Sequence, residues 1–194
     1  MGKLPVMMQS SPLIHAFPTS MNHSLQEPDD PISAKKITLE ILAGNIASGK
    51  STWTQKRAEA GWITVENDAL LMALHGGSYC WEKQIPSLVN ALARQIITAA
   101  AHAERSVVLD ATNRSRVQRA VWIDLARELG MTTRIVAFPQ HPAEVHAARR
   151  ARANLRGRST EYWLDVARKM EAEWEPPMSD EADEVLILND KSPH

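Results

Sequence analysis

Residues 44–52 read GNIASGKST, and they constrain the fold of this chain more than any other segment. They fill the pattern GxxxxGK[ST], in which glycines let the backbone curl so that successive N–H groups point at phosphate oxygens. An apolar, β-rich run precedes the pattern and a helix-like segment follows it. The N-terminus of that helix would direct its partial positive charge to the same place. The segment therefore predicts a phosphate-binding loop between a strand and a helix.

The loop predicts a nucleoside triphosphate, ATP with Mg²⁺, as the ligand. Lys50 should reach the β- and γ-phosphates, and the Ser51 hydroxyl should hold Mg²⁺. The loop residues expected to contact the nucleotide are Gly44, Asn45, Ala47, Ser48, Gly49, Lys50, Ser51 and Thr52.

Strand-like apolar runs alternate with helical patterns from Lys36 onward. The predicted strands are 37–44, 62–66, 106–111, 132–138 and 184–188. The predicted helices are 48–61, 85–104, 115–130, 142–155 and 160–173. This order indicates an α/β fold of the P-loop NTPase type, a three-layer α/β/α sandwich with a mostly parallel five-stranded sheet. Ligands of such sheets bind beyond the carboxyl ends of the strands.

Residues 1–35 differ from the rest of the chain, because they contain five prolines and show no sustained apolar period. They predict a flexible N-terminal arm, and residues 36–190 are expected to form the P-loop domain. A net charge of −1 predicts local rather than extended contact with any nucleic acid. The lone cysteine and the lack of a long apolar run favour a cytoplasmic protein without a membrane span. The oligomeric state is left open.

Asp110 stands at the end of the apolar run SVVLD. That position suits a carboxylate that assists the Mg²⁺ shell beside a phosphate loop, although such a residue can also simply cap the next turn. The next residue is Ala111, where ATPases that drive machines commonly place a glutamate to activate water. The chain also lacks an NKxD guanine-reading motif. A hydrolytic motor and a GTPase are therefore both disfavoured.

Asp68 lies just past the second predicted strand, in VENDALL. A P-loop kinase needs a carboxylate beside the γ-phosphate that orients the acceptor hydroxyl and takes its proton. The alternative is that Asn67 or Asp68 only caps a helix that starts at Ala69. Spacing alone leaves both interpretations open.

Residues 149–158 read RRARANLRGR, with five arginines in ten positions. Arg149, Arg152 and Arg156 would share one face of a helix. Guanidinium groups suit phosphates through two hydrogen bonds at once. The run predicts a lid over the triphosphate, with Arg149 on the nucleotide and Arg152 and Arg156 acting on the transferring phosphoryl group. The alternative is a solvated basic helix face.

Taken together, the segments ILAGNIASGKSTW, VENDALL, VVLDATN and the arginine run with YWLDVARKM resemble the polynucleotide 5′-hydroxyl kinase family of P-loop phosphotransferases. The resemblance implies that Lys50 and Ser51 perform the loop functions. It also implies that Asp68 is the general base, that Asp110 and Asn113 form a strand-end motif, and that Arg152 and Arg156 are lid arginines.

Two positions depart from the family pattern. The family often reads Asn-Arg-Asp up to the base, whereas this chain has Glu66-Asn67-Asp68. It often carries a substrate-binding arginine shortly after the base, whereas this chain has Leu70, Leu71 and Met72. The expected function is an ATP-dependent kinase for a hydroxyl, with the 5′-OH of a nucleic acid as the leading acceptor. The alternatives are a small-molecule or zeta-toxin-like phosphotransferase and a non-catalytic ATP-binding regulatory module.

Overall fold

Five strands form one sheet in the order β2-β3-β1-β4-β5, and every neighbouring pair is parallel. The computed structural model describes residues 36–80, 84–153 and 158–189. The strands are β1 (Thr38–Ala43), β2 (Ile63–Glu66), β3 (Val107–Asp110), β4 (Thr132–Ala137) and β5 (Glu184–Ile187). The predicted α/β fold is confirmed, and the sheet is wholly rather than mostly parallel.

Six helices connect these strands, and their ends follow local sequence signals. They are α1 (Lys50–Glu59), α2 (Asn67–Leu74), α3 (Ile85–His102), α4 (Arg116–Glu128), α5 (Ala143–Arg152) and α6 (Thr160–Ala172). Ser115 and Gln118 form a reciprocal capping box at the start of α4, which satisfies two backbone donors. Gly130, with φ of 67°, reverses the chain just after the same helix.

The predicted N-terminal arm, residues 1–35, lies outside the described residues. The extent of the kinase domain over residues 36–190 stays a prediction. In the part of the chain that the structure describes, no helix is both long and apolar enough to cross a membrane.

The sheet is covered on both faces, as alternation along its strands requires. Leu39 and Ile41 of β1 are fully buried in a core that also contains Ile97 of α3 and Trp122 of α4. Leu42 is the next residue after Ile41, so its side chain points to the other face of the sheet and belongs to a second core there. These two clusters are the two interfaces of a three-layer sandwich.

A buried carboxylate fastens α1 to the second face of the sheet. Glu40 of β1 is fully buried and accepts hydrogen bonds from Arg57 at 2.7 and 2.8 Å and from the Trp53 indole at 2.6 Å. The Arg57 guanidinium also lies 4.9 Å from the ring centroids of Trp53 and Trp62. Because Glu40 is fully paired, its burial costs little, and α1 is held in one position over the sheet.

A second buried ion pair secures the turn that follows β3. Arg119 of α4 is fully buried, and its guanidinium donates to both carboxylate oxygens of Glu181 at 2.8 and 3.0 Å. A third N–H donates to the carbonyl of Asn113 at 3.1 Å. Asn113 has φ of 38°, and its side chain donates to Leu42 O at 2.8 Å. The pair thus links the chain just after Asp110 to the segment that precedes β5.

Replacing Arg119 with methionine should lower the free energy of unfolding by about 3–5 kcal/mol, because the buried Glu181 carboxylate would lose its positively charged partner and keep only the Met178 N–H. Urea denaturation followed by circular dichroism measures this loss. The double variant Arg119→Met/Glu181→Leu should lose clearly less than the single one. A double variant that loses the sum of both single losses would show that the two side chains do not act as a pair.

Candidate active site

The loop between β1 and α1 has the backbone shape that its glycines predict. Gly49 has φ of 104° and stands at the N-cap of α1, and Ala47 between the glycines also has a positive φ, of 48°. At Gly44, an added Cβ would lie 3.0 Å from Phe138 Cβ and from Ser48 Oγ, so a larger residue has no room. Among the described residues no side chain caps α1, and its first turn holds no acidic residue. The first N–H groups of α1 therefore remain available for an anion.

Lys50 is folded into this loop and is nearly buried. Its ammonium donates to the carbonyls of Gly44 at 3.0 Å and Asn45 at 2.6 Å, and to Ser48 Oγ at 3.3 Å. Burial lowers the pKa of Lys50, while the charges of Asp110 and Asp68 act in the opposite direction. The ammonium is thus desolvated and faces both carboxylates that the sequence singles out.

Ser51 and Asp110 meet as the sequence predicts. Asp110 Oδ2 accepts hydrogen bonds from Ser51 Oγ at 3.1 Å and from Thr54 Oγ1 at 3.3 Å. Burial raises the pKa of Asp110, and the positive charge of Lys50 opposes that shift. A hydroxyl and a carboxylate beside a phosphate loop are the oxygen donors that Mg²⁺ takes together with substrate phosphates. These residues fit a Mg²⁺–nucleotide complex, in which Ser51 and Asp110 would hold the metal.

Asp68 lies in the first turn of α2, and its side chain is about half exposed, at 54%. The alternative that Asn67 or Asp68 is the N-cap is wrong, because α2 begins at Asn67 and its N-cap is Glu66. Asp68 is close enough to Lys50, Asp110 and Glu66 for its charge to influence the pKa of each. A partly exposed carboxylate thus stands beside the phosphate loop, in the first turn of α2.

Glu66 is a third carboxylate of the site, which the sequence analysis did not single out. It pairs in register with Asp110 on the neighbouring strand, so both side chains leave the same face of the sheet. Burial raises the pKa of Glu66, and the charges of Asp110 and Asp68 raise it further. Its position as the last residue of the apolar strand β2 was the available signal.

The arginines of α5 differ in their exposure and in their contacts with the site. Arg149 and Arg152 are exposed, and Arg156 lies outside the described residues. Arg150, for which the sequence predicted no role, is the arginine of α5 that reaches the site. Its Nη2 lies 3.6 Å from Asp68 Oδ2. The roles of Arg149, Arg152 and Arg156 stay predictions.

A buried side chain links the phosphate loop to α6, and a buried histidine of α5 lies close to the loop. The Asn45 amide donates to the carbonyl of Ala167 in α6 at 3.1 Å, and its oxygen accepts from Ile46 N–H at 2.8 Å. Asn45 can therefore meet a nucleotide only through its backbone. His146 of α5 is fully buried, and its Nε2 accepts from His141 N–H at 3.2 Å. Burial, with the positive charge of nearby groups, lowers the pKa of His146 to about 4.

Comparison with protein families identifies the family to which this chain belongs. The profile of an AAA domain matches residues 39–177, which include the phosphate loop, Asp68, Asp110 and the arginines of α5. The chain belongs to the AAA domain family AAA_33. This is a family of P-loop kinase domains, so the resemblance found in the sequence is confirmed. No curated protein matches the chain in sequence.

Solved structures of kinases share the fold. A suspected kinase from Chloroflexus aurantiacus has a TM-score of 0.59 at 15% identity, covering 79% of this chain and 85% of that one. A gluconokinase from Sinorhizobium meliloti has a TM-score of 0.53 at 18% identity, covering 80% and 84%. The Pnkp1/Rnl/Hen1 RNA repair complex has a TM-score of 0.55 at 21% identity, covering 72% of this chain and 47% of the other. At these identities the likeness establishes the fold alone.

The pKa of His146 makes stability depend on pH. The value falls from 6.5 to about 4 on folding, so the unfolded chain binds the extra proton first as the pH drops. The stabilisation is complete above pH 6.5 and is lost as the pH falls towards 4. The contribution of His146 to the free energy of unfolding should fall by about 2 kcal/mol between pH 7.5 and pH 5.

His146→Leu removes this titration, and urea denaturation at the two pH values measures it. The wild-type protein should lose more stability than the variant over the interval. Equal losses in the two proteins would show that His146 does not titrate abnormally.

Proposed function

We propose that this chain is an ATP-dependent kinase that transfers the γ-phosphoryl group to a hydroxyl, with the 5′-OH of a nucleic acid as the leading acceptor. The observation that carries the proposal is the position of Asp68. It stands in the first turn of α2, partly exposed, and shares its electrostatic environment with Lys50 and Asp110. A phosphate loop alone is compatible with any nucleotide-binding protein, whereas the Asp68 carboxylate can also take the proton of an acceptor hydroxyl.

The proposed reaction is an in-line displacement. The acceptor oxygen forms a bond to the γ-phosphorus, its proton passes to the Asp68 carboxylate, and the bond to the β,γ-bridging oxygen breaks to release ADP. Lys50 and the N–H groups at the start of α1 stabilise the charge on the phosphate oxygens. When bound by Ser51 and Asp110, Mg²⁺ supplies positive charge that neutralises the β- and γ-phosphates.

Two kinds of observation bear on the choice of acceptor, and they point to different classes of substrate. The sequence resemblance favours a polynucleotide, and one structural neighbour is an RNA repair complex. Leu70, Leu71 and Met72 of α2 bring no charge to the acceptor side, which favours a small-molecule or zeta-toxin-like phosphotransferase. A module that only binds ATP has no need of a carboxylate at the position of Asp68, so this residue argues against a purely regulatory role.

Transfer of labelled γ-phosphate from ATP tests the proposal. The acceptors are 5′-OH DNA and RNA oligonucleotides, free nucleosides, sugars and gluconate, each with Mg²⁺. Label should appear on the 5′-OH oligonucleotides and not on matched oligonucleotides that already carry a 5′-phosphate. Label on small hydroxyl compounds alone would overturn the nucleic-acid acceptor and favour the small-molecule alternative.

Asp68→Asn should lower kcat by about 10²–10⁴-fold and leave ATP affinity unchanged, because it removes only the proton acceptor. Asp165→Asn, an exposed aspartate of α6, is the matched control and should behave as wild type. Steady-state kinetics and nucleotide titration separate the two quantities. Normal turnover by Asp68→Asn would remove the base from the proposed mechanism.

Lys50→Ala should weaken both ATP binding and turnover, because the loop loses its only positively charged side chain. Lys56→Ala, on the exposed face of the same helix, is its control. Unchanged ATP affinity together with a normal rate in Lys50→Ala would refute the loop assignment.

A further inference from the structure

One buried atom beside the phosphate loop lacks a partner that would satisfy it. His146 of α5 is fully buried, and its Nδ1 makes no hydrogen bond of normal geometry among the described residues. A buried polar atom without a partner keeps the whole free-energy cost of its desolvation, so such atoms are uncommon in folded proteins. The unused ring nitrogen of His146 therefore calls for an explanation beyond packing.

The hydrogen bond of the other ring nitrogen identifies this atom as a donor. Nε2 accepts from the backbone N–H of His141 at 3.2 Å, so Nε2 holds a lone pair and no proton. Burial lowers the pKa of His146 to about 4, so the ring is neutral at pH 7 and carries one proton. That proton is therefore on Nδ1, and the protein buries an N–H group next to the loop.

The backbone of Ile46, in the middle of the phosphate loop, offers this donor an acceptor. Ile46 lies close enough to the ring to raise the pKa of His146. A carbonyl oxygen has this effect because it favours the protonated ring, whereas an N–H group opposes protonation. The N–H of Ile46 is also already used, since it donates to the Asn45 side-chain oxygen at 2.8 Å. The carbonyl oxygen of Ile46 is thus the group that faces His146.

The direction of this carbonyl fixes the direction of a second loop group. The Ile46 carbonyl and the Ala47 N–H belong to one planar trans peptide unit, so they point in opposite directions. Ala47 has φ of 48°, a region that a residue with a Cβ seldom adopts unless its surroundings hold it there. The N–H of Ala47 makes no hydrogen bond within the described residues and is available to a phosphate oxygen. A group that holds the Ile46 carbonyl therefore also directs a phosphate-binding donor.

We propose that His146 is a positioning residue of the phosphate loop, whose Nδ1–H donates a hydrogen bond to the Ile46 carbonyl in the nucleotide-bound protein and so directs the Ala47 N–H to a phosphate. The inference rests on the proposed function in taking a nucleoside triphosphate as the ligand of the loop. The neutral ring suits the task because it has one acceptor and one donor. Nε2 is held by His141, just before α5, and Nδ1 reaches the loop.

Nitrogen-15 NMR of the histidine side chains in the full chain tests this hydrogen bond without any acceptor. The signals of His146 are those that disappear in His146→Leu. At pH 7 they should show a neutral ring with its proton on Nδ1. The Nδ1–H proton resonance should move downfield when the β,γ-imido analogue of ATP is added with Mg²⁺. A ring with its proton on Nε2, or an Nδ1–H resonance that the analogue does not move, would overturn the assignment.

Calorimetric titration of the same analogue separates the donor from simple packing. His146→Leu has no donor and should weaken analogue affinity about tenfold, the size of one lost hydrogen bond. His146→Asn places an amide N–H where Nδ1 stands, and should bind within about threefold of wild type. His146→Gln places its amide nearer to the position of Nε2 and should resemble His146→Leu. His102→Leu, at an exposed histidine in the last turn of α3, is the control and should bind as wild type does.

Equal analogue affinities of His146→Leu and His146→Asn would overturn the assignment, because the two side chains have nearly the same shape and differ in the donor. The NMR measurement is made on the wild-type protein, so it still decides the matter if His146→Asn does not fold. A wild-type protein that does not bind the analogue at all would instead refute the proposed function, so the two failures are distinguishable.

Discussion

The buried charge of Lys50 is the constraint on which the rest of the site depends. A desolvated ammonium is stable only among carbonyl oxygens and carboxylates, and Lys50 has both around it. The parallel pairing of β1 with β3 brings Asp110 to the end of the sheet where the loop leaves β1. The pairing of β2 with β3 then sets Glu66 beside Asp110, two residues before Asp68. The order of β1, β3 and β2 in the sheet therefore brings Lys50, Asp110 and Glu66 to the same end of the sheet.

Several fully paired buried groups keep this arrangement rigid. Glu40 holds α1 against the sheet, and the Arg119–Glu181 pair holds the turn that follows Asp110. Asn45 connects the phosphate loop to α6, the same helix that supports Arg150 through Trp163. The phosphate loop and α5 are therefore both held by α6, which suits the proposed reaction, since its catalysis depends on positioning.

The sequence predicted the five strands and five of the six helices to within a few residues, because buried parallel strands are continuous apolar runs and glycines and caps mark the helix ends. The short helix α2 was not among the predicted elements and entered only as the alternative that Asn67 or Asp68 caps a helix. The sequence also predicted the meeting of Ser51 with Asp110, since both positions follow from the loop and from a strand end. It missed Arg150. The spacing of Arg149, Arg152 and Arg156 indicates a shared face but not which face meets the site. That choice depends on Trp163, a contact between helices that no local pattern contains.

The central claim is that this charge arrangement directs a phosphoryl group to a hydroxyl rather than to water. Phosphorus NMR of the protein with ATP, Mg²⁺ and a 5′-OH oligonucleotide measures the fate of that group directly. The account predicts a phosphomonoester signal that grows in step with ADP and depends on the oligonucleotide. ADP and inorganic phosphate appearing at the same rate with or without any hydroxyl acceptor would contradict it.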